Sequence, residues 1–152
     1  MTQTPVLTGQ DIAEAQGAVQ ALLERILAET GTTSREYVVL RVLAAPGAFD
    51  NPTTLHEFLA GQRQLDLTPD AIGELLTGLE RRGLAAGTAK HGPGPAELTP
   101  KGAALYRGLS ETIAPRTTEL FSNIPAEDMA TAHRVLRDII RRASAIAITQ
   151  GV

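Results

Sequence analysis

Two helix starts of the same kind do most to limit what this chain can become. Leu67-Thr68-Pro69-Asp70 and Leu98-Thr99-Pro100 each set a threonine cap before a proline. Proline's fixed φ suits the first helical position, where its missing N–H costs nothing. The first of these helices carries Ile72, Leu75, Leu76 and Leu79 on one inward face, and Gly83 ends it. The second runs through Leu105, Leu109 and Ile113, and Pro115 kinks or breaks it. Between them, Leu84-Ala85-Ala86-Gly87-Thr88 and Ala96-Glu97-Leu98 read as short strands around Gly92-Pro93-Gly94-Pro95, the tip of a β-hairpin.

Upstream, Thr8-Gly9-Gln10-Asp11 reads as a helix cap with an acid in the first turn. Ile12, Ala15, Val19, Leu22, Leu23 and Ile26 then form one apolar stripe, and Gly31 closes the helix. Thr33-Ser34-Arg35-Glu36 is a capping box before Tyr37-Val38-Val39-Leu40-Arg41-Val42-Leu43, a helix apolar nearly all round and so expected at the centre. Pro46-Gly47 stops it and Phe49-Asp50-Asn51-Pro52 reads as loop. A short helix from Thr53 or Thr54 carries Leu55, Phe58 and Leu59, and a final helix from Pro125 carries Met129, Val135, Leu136, Ile139, Ile140 and Ile146.

Three short helices, a hairpin and long flanking helices describe a mainly α fold with a small β-hairpin wing. The winged helix-turn-helix lobe spans residues 33–110, and residues 1–32 and 111–152 form a helical dimerisation region. The flanking stripes are too apolar to stand alone, and a second copy buries them most simply. A monomeric bundle in which the two termini pack on each other is the alternative.

The 152 residues suit one domain or two small lobes sharing a core. Absence of cysteine excludes disulfides, thiolate metal sites and thiol-based sensing. The first residues lack the basic and apolar regions of a secretory signal, and no apolar run approaches a membrane span, so a soluble cytoplasmic protein is expected. The net charge of -3 comes wholly from residues 1–32, where Arg25 faces Asp11, Glu14, Glu24 and Glu29. Residues 33–110 are neutral, with eight basic and eight acidic side chains. That is a poor footprint for DNA unless Arg63, Arg81, Arg82, Lys90 and Lys101 gather on one surface.

The segments Leu55-His56-Glu57-Phe58-Leu59-Ala60, Leu67-Thr68-Pro69-Asp70-Ala71-Ile72 and Leu75-Leu76-Thr77-Gly78-Leu79-Glu80-Arg81-Arg82-Gly83-Leu84 resemble MarR-family transcriptional regulators. Leu98-Thr99-Pro100-Lys101-Gly102 is similar to the leucine-threonine-x-x-glycine signature after the wing in that family, and Ile124-Pro125-Ala126-Glu127-Asp128 to the turn before its last dimerisation helix. The likeness covers almost the whole chain. It implies a homodimer that binds a pseudo-palindromic stretch of double-stranded DNA, with affinity set by a small ligand held between the dimerisation helices and the winged-helix lobe. Two recognition helices would enter successive major grooves about 10 bp apart.

At about 100° per residue, the outward face of the candidate recognition helix is Asp70, Glu74, Thr77 and Arg81, flanked by Gly73 and Gly78. With Thr68 and Ala71 at the helix start, and Lys90 and His91 in the wing, these form the candidate DNA-binding set. The family commonly has serine or threonine near position 70 and arginine near 74 and 78; here stand Asp70, Glu74 and Gly78. Carboxylates can accept from cytosine N4, but near phosphates they repel. The wing has Lys90 and His91 where the family often carries an aspartate-x-arginine pattern. These departures motivate a second reading, a winged-helix dimer with a degenerate reading face that binds a small molecule or a protein.

Tyr37, Arg41, His56 and Tyr106 are the ligand-binding candidates, for an aromatic or phenolic effector. Tyr37 and Arg41 lie four residues apart on one face and could anchor a carboxylate or phenol; alternatively both tyrosines fill core. Arg134, Arg137 and Arg141 make a basic stripe on the last helix, either a phosphate contact or a solvated face. The three histidines are far apart in sequence, so neither a metal site nor a cofactor is expected, and no serine sits in a histidine-plus-acid pattern that would suggest an enzyme.

Overall fold

A computed structural model describes residues 3–45, 47, 49–62 and 65–149. Pro46, expected to stop a helix, and Arg63, one of the basic residues considered above, lie outside the described residues. Six helices and one hairpin follow in the order α1 (Gly9–Ala28), α2 (Ser34–Leu43), α3 (Pro52–Ala60), α4 (Pro69–Arg81), β1 (Ala85–Ala86), β2 (Glu97–Leu98), α5 (Pro100–Phe121) and α6 (Ala126–Thr149). The chain is mainly α with a two-stranded wing. Two compact units divide it at Ala114 and Pro115.

Capping chemistry sets most boundaries. Thr8 with Asp11 and Thr33 with Glu36 form reciprocal capping boxes on α1 and α2. Thr68 Oγ1 accepts from the Ala71 N–H to open α4, and Thr99 Oγ1 accepts from the Gly102 N–H to open α5. The start of α3 differs from expectation. Asn51 Oδ1 accepts from the Thr53 N–H at 2.9 Å, so Asn51 is the cap and Pro52 the first helical residue, not loop. Proline 115 neither ends nor divides α5, which continues to Phe121.

In the first unit one core joins every element. Leu27 of α1, Val39 and Leu40 of α2, Leu55 and Leu59 of α3, and Ile72, Leu76 and Leu79 of α4 are essentially inaccessible. Leu84 closes it from the wing and Leu109 from α5. Phe58, on the same helix as Leu55 and Leu59, stands 43% exposed and leans on Phe49 at a ring separation of 5.6 Å. The first half of the α1 stripe is also uncovered, with Val19 exposed and only Ile26 and Leu27 buried.

The wing is shorter than the strand pattern suggests. Only Ala85 with Leu98 and Ala86 with Glu97 pair, in antiparallel register. Gly87 leaves the ladder at φ +71, a conformation open to glycine, and Pro93 and Pro95 bring no N–H to extend it. The second strand is instead tied back by the Ala96 N–H, which donates to the Phe49 carbonyl at 2.9 Å.

The second unit contains the end of α5 and all of α6. Pro125 precedes α6, and its carbonyl accepts from the Met129 N–H; Glu127 and Asp128 sit in the positive first turn. No residue of α6 is buried, and Leu136, Ile139, Ile140 and Ile146 are all exposed. No helix among the described residues is long and apolar enough to cross a membrane.

Candidate nucleic-acid interface

Ile72, Leu76 and Leu79 hold one face of α4 in the core and thereby fix what the opposite face presents. Asp70, Glu74, Thr77 and Arg81 are exposed there, as the angular arithmetic expects. Gly73 and Gly78 leave the surface between them bare, since a Cβ at either would meet nothing within 4 Å.

A groove of about 620 Å³ runs between this face and the wing. Asp70, Glu74, Thr77 and Arg81 line one side and Lys90 the other, with His56 of α3 beside them. Thr68, Ala71 and His91 do not line it; Ala71 is half-buried, and Thr68 and His91 are exposed outside the groove.

His56, expected among the ligand-binding residues, therefore sits beside α4 rather than with the tyrosines. Its Nε2 lies 2.7 Å from the Thr88 carbonyl. Glu80 and Thr88, which the spacing did not single out, also line the groove. Glu80 Oε1 accepts from the Thr88 N–H at 2.9 Å and from its hydroxyl at 2.7 Å.

The cations of the winged-helix unit divide into committed and open ones. Arg82 pairs with Glu36 of α2, and Lys101 Nζ donates to the Arg82 carbonyl at 3.0 Å. Among the described residues Arg81 and Lys90 have no side-chain partner, and they share the groove. Of the four considered basic residues that the structure describes, Arg81 and Lys90 line the groove and Arg82 and Lys101 do not. On α6, Asp138 pairs with Arg141 and with Arg142, so one member of the basic stripe is neutralised locally.

A second cavity of about 530 Å³ lies between the end of α2, β2 and α5. Leu43, Leu98 and Tyr106 give it an apolar wall, and Arg107, Ser110 and Glu97 give it polar groups. Tyr37 is buried and stacks on Tyr106 with ring centroids 6.0 Å apart and planes 27° apart, so it backs the cavity without lining it. Arg41 is exposed and does not reach it; Arg107 is the lining arginine, one residue after Tyr106.

No family model matches the chain, and no curated protein matches its sequence. Solved structures do. A mutant of MarR from Escherichia coli superposes with a TM-score of 0.66 at 21% identity, over 91% of this chain and 99% of that one. A MarR-family transcriptional regulator from Silicibacter pomeroyi gives 0.66 at 24% identity, over 88% and 91%. The MarR-family protein Rv2887 of Mycobacterium tuberculosis, in complex with DNA, gives 0.64 at 23% identity, over 89% and 98%. The chain has the MarR-family fold. Within that fold α4 and the hairpin are the helix and wing of the winged helix-turn-helix, the elements that flank the groove. Rv2887 has also been solved with salicylic acid, an aromatic carboxylate.

Proposed function

We propose that this protein is a ligand-responsive transcriptional regulator that binds a pseudo-palindromic DNA operator as a homodimer. The groove carries the reading: its two open cations, Arg81 and Lys90, stand on the recognition helix and on the wing, where a duplex would pass. Arg81 would reach the major groove, and Lys90 a flanking minor groove, whose narrow A·T tracts attract cations. The DNA complex of Rv2887 supports the partner, and its salicylic acid complex supports an aromatic effector. In this chain the cavity at Tyr106 and Arg107 offers such a ligand a ring to pack on and a cation for a carboxylate.

The dimer rests on residues 1–32 and 111–152, whose apolar stripes on α1 and α6 remain uncovered in one chain. The proposal includes no enzymatic activity and places the protein in the cytoplasm, with the DNA it would regulate. Binding to the DNA upstream of its own coding region, followed by fluorescence anisotropy at rising salt, tests the reading. The affinity is expected to fall steeply with salt, and Arg81→Ala and Lys90→Ala each to reduce the slope by about one. Binding no tighter than to random DNA at low salt would end it.

Asp70, Glu74 and the bare Gly78 favour a second reading, a winged-helix module that binds a small molecule or protein and not DNA. Both readings leave room for Glu74→Arg with Gly78→Arg, because Glu74 is exposed and a Cβ at 78 meets nothing. If the second reading holds, this double variant gains DNA affinity where the wild type has none. Under the first, wild type already binds, and the variant changes which bases it prefers.

A further inference from the structure

Two residue pairs are too short a ladder to hold a wing tip, yet the tip here is fastened. Beyond Ala86, residues 87–96 have no strand partner. The Ala96 N–H ties their far end to the Phe49 carbonyl; the other attachments come from α3 and α4 and converge on Thr88, only 2% exposed. Glu80 Oε1 accepts hydrogen bonds from both the N–H and the hydroxyl of Thr88. His56 meets its carbonyl at 2.7 Å, and Thr53 Oγ1 donates to the carbonyl of Lys90 two residues on. Every polar group of Thr88 is thus satisfied from the helix-turn-helix, and Lys90 is held over the groove it lines.

We propose that Glu80, Thr88 and His56 form a latch that positions the wing, so that Lys90 meets DNA already in place. The proposal rests on the DNA-binding reading above. It assigns Glu80 a role opposite to the one its charge suggests. A carboxylate on a DNA-facing helix repels phosphate, but this one is engaged by two donors of the wing. Glu80 is a positioning residue. Without it the stretch from Thr88 to His91 would keep only the His56 and Thr53 contacts, and the chain freedom it gained would be charged against affinity on binding.

Two measurements test the latch. The first uses the free protein. Hydrogen exchange at the amides of Thr88 to His91 is expected to rise about tenfold or more in Glu80→Ala. Glu80→Gln, which keeps an oxygen to accept from Thr88, should stay near wild type. Unchanged exchange in Glu80→Ala would overturn the latch whether or not the protein binds DNA.

The second measurement uses the operator. Glu80→Ala and Glu80→Gln remove the same charge, so simple repulsion predicts that both bind more tightly than wild type. The latch predicts tighter binding for Glu80→Gln only. It also predicts that Lys90→Ala lowers the salt slope of wild type by about one and leaves that of Glu80→Ala unchanged. A full Lys90 effect in the Glu80→Ala background would overturn the positioning role. If wild type itself binds no DNA, the regulator reading fails and exchange alone decides on the latch.

Discussion

Gly102→Ala is expected to cost the protein about 3 kcal/mol or more and to lower its melting temperature by about 10 °C. In a helix, alanine in place of glycine ordinarily gains about 1 kcal/mol. Here a Cβ would stand 1.9 Å from the Leu84 carbonyl oxygen and 2.8 Å from its carbon. Neither is the tip of a flexible side chain. Thr99 explains why α5 comes so close: its N–H donates to that same carbonyl at 3.1 Å, and its hydroxyl lies within hydrogen-bond distance of the Gly83 carbonyl. The helix start is clamped to the end of α4 and the beginning of the wing, so relieving the clash means breaking the clamp. Gly108→Ala on the same helix is the control, since its Cβ would meet nothing within 4 Å. It should stabilise by about 0.5–1 kcal/mol. Thermal melts of the two variants should therefore move in opposite directions; equal shifts would show that the contact with Leu84 is not what decides.

The same residues show how far the sequence could be read. Threonine followed by proline announced α4 and α5 because a cap and a fixed φ are local chemistry. Asn51-Pro52 has the same chemistry and opens α3, but after Asp50 it resembles a turn, and the helix was expected one or two residues later. The outward face of α4 followed from helical geometry once Ile72 was taken as inward. The latch did not follow. Glu80 and Thr88 are eight residues apart, and His56 and Thr88 thirty-two, on elements whose mutual placement no periodicity encodes. Residue type alone therefore groups His56 with the tyrosines, and the place of Arg107 beside Tyr106 depends on where β2 lies. The -3 charge likewise said little about DNA. What matters is which carboxylates are already engaged, and Glu36 and Glu80 both are.

Leu136→Asp with Ile140→Asp should convert a dimer into a monomer and reduce affinity for a two-half-site operator by about 10²–10⁴-fold. The two side chains lie one turn apart on α6, at 39% and 51% exposure, in a stripe that continues through Ile139 and Ile146. A helix with such a stripe draws most of its stability from packing it, and in the proposed dimer the second copy supplies that packing. Each of these side chains contributes about 1.5–3 kcal/mol when fully buried, and twofold symmetry counts every contact twice. Two aspartates in that interface would face desolvation without partners. The buried core residues of the first unit run from Ile26 to Ile113, so affinity for an isolated half-site should change little. Sedimentation equilibrium reads the first effect and anisotropy on whole and half operators reads the second. A double variant that stays dimeric would place the interface elsewhere. A wild type that is monomeric at micromolar concentration would remove the dimer from the proposal, and with it the expectation of a palindrome.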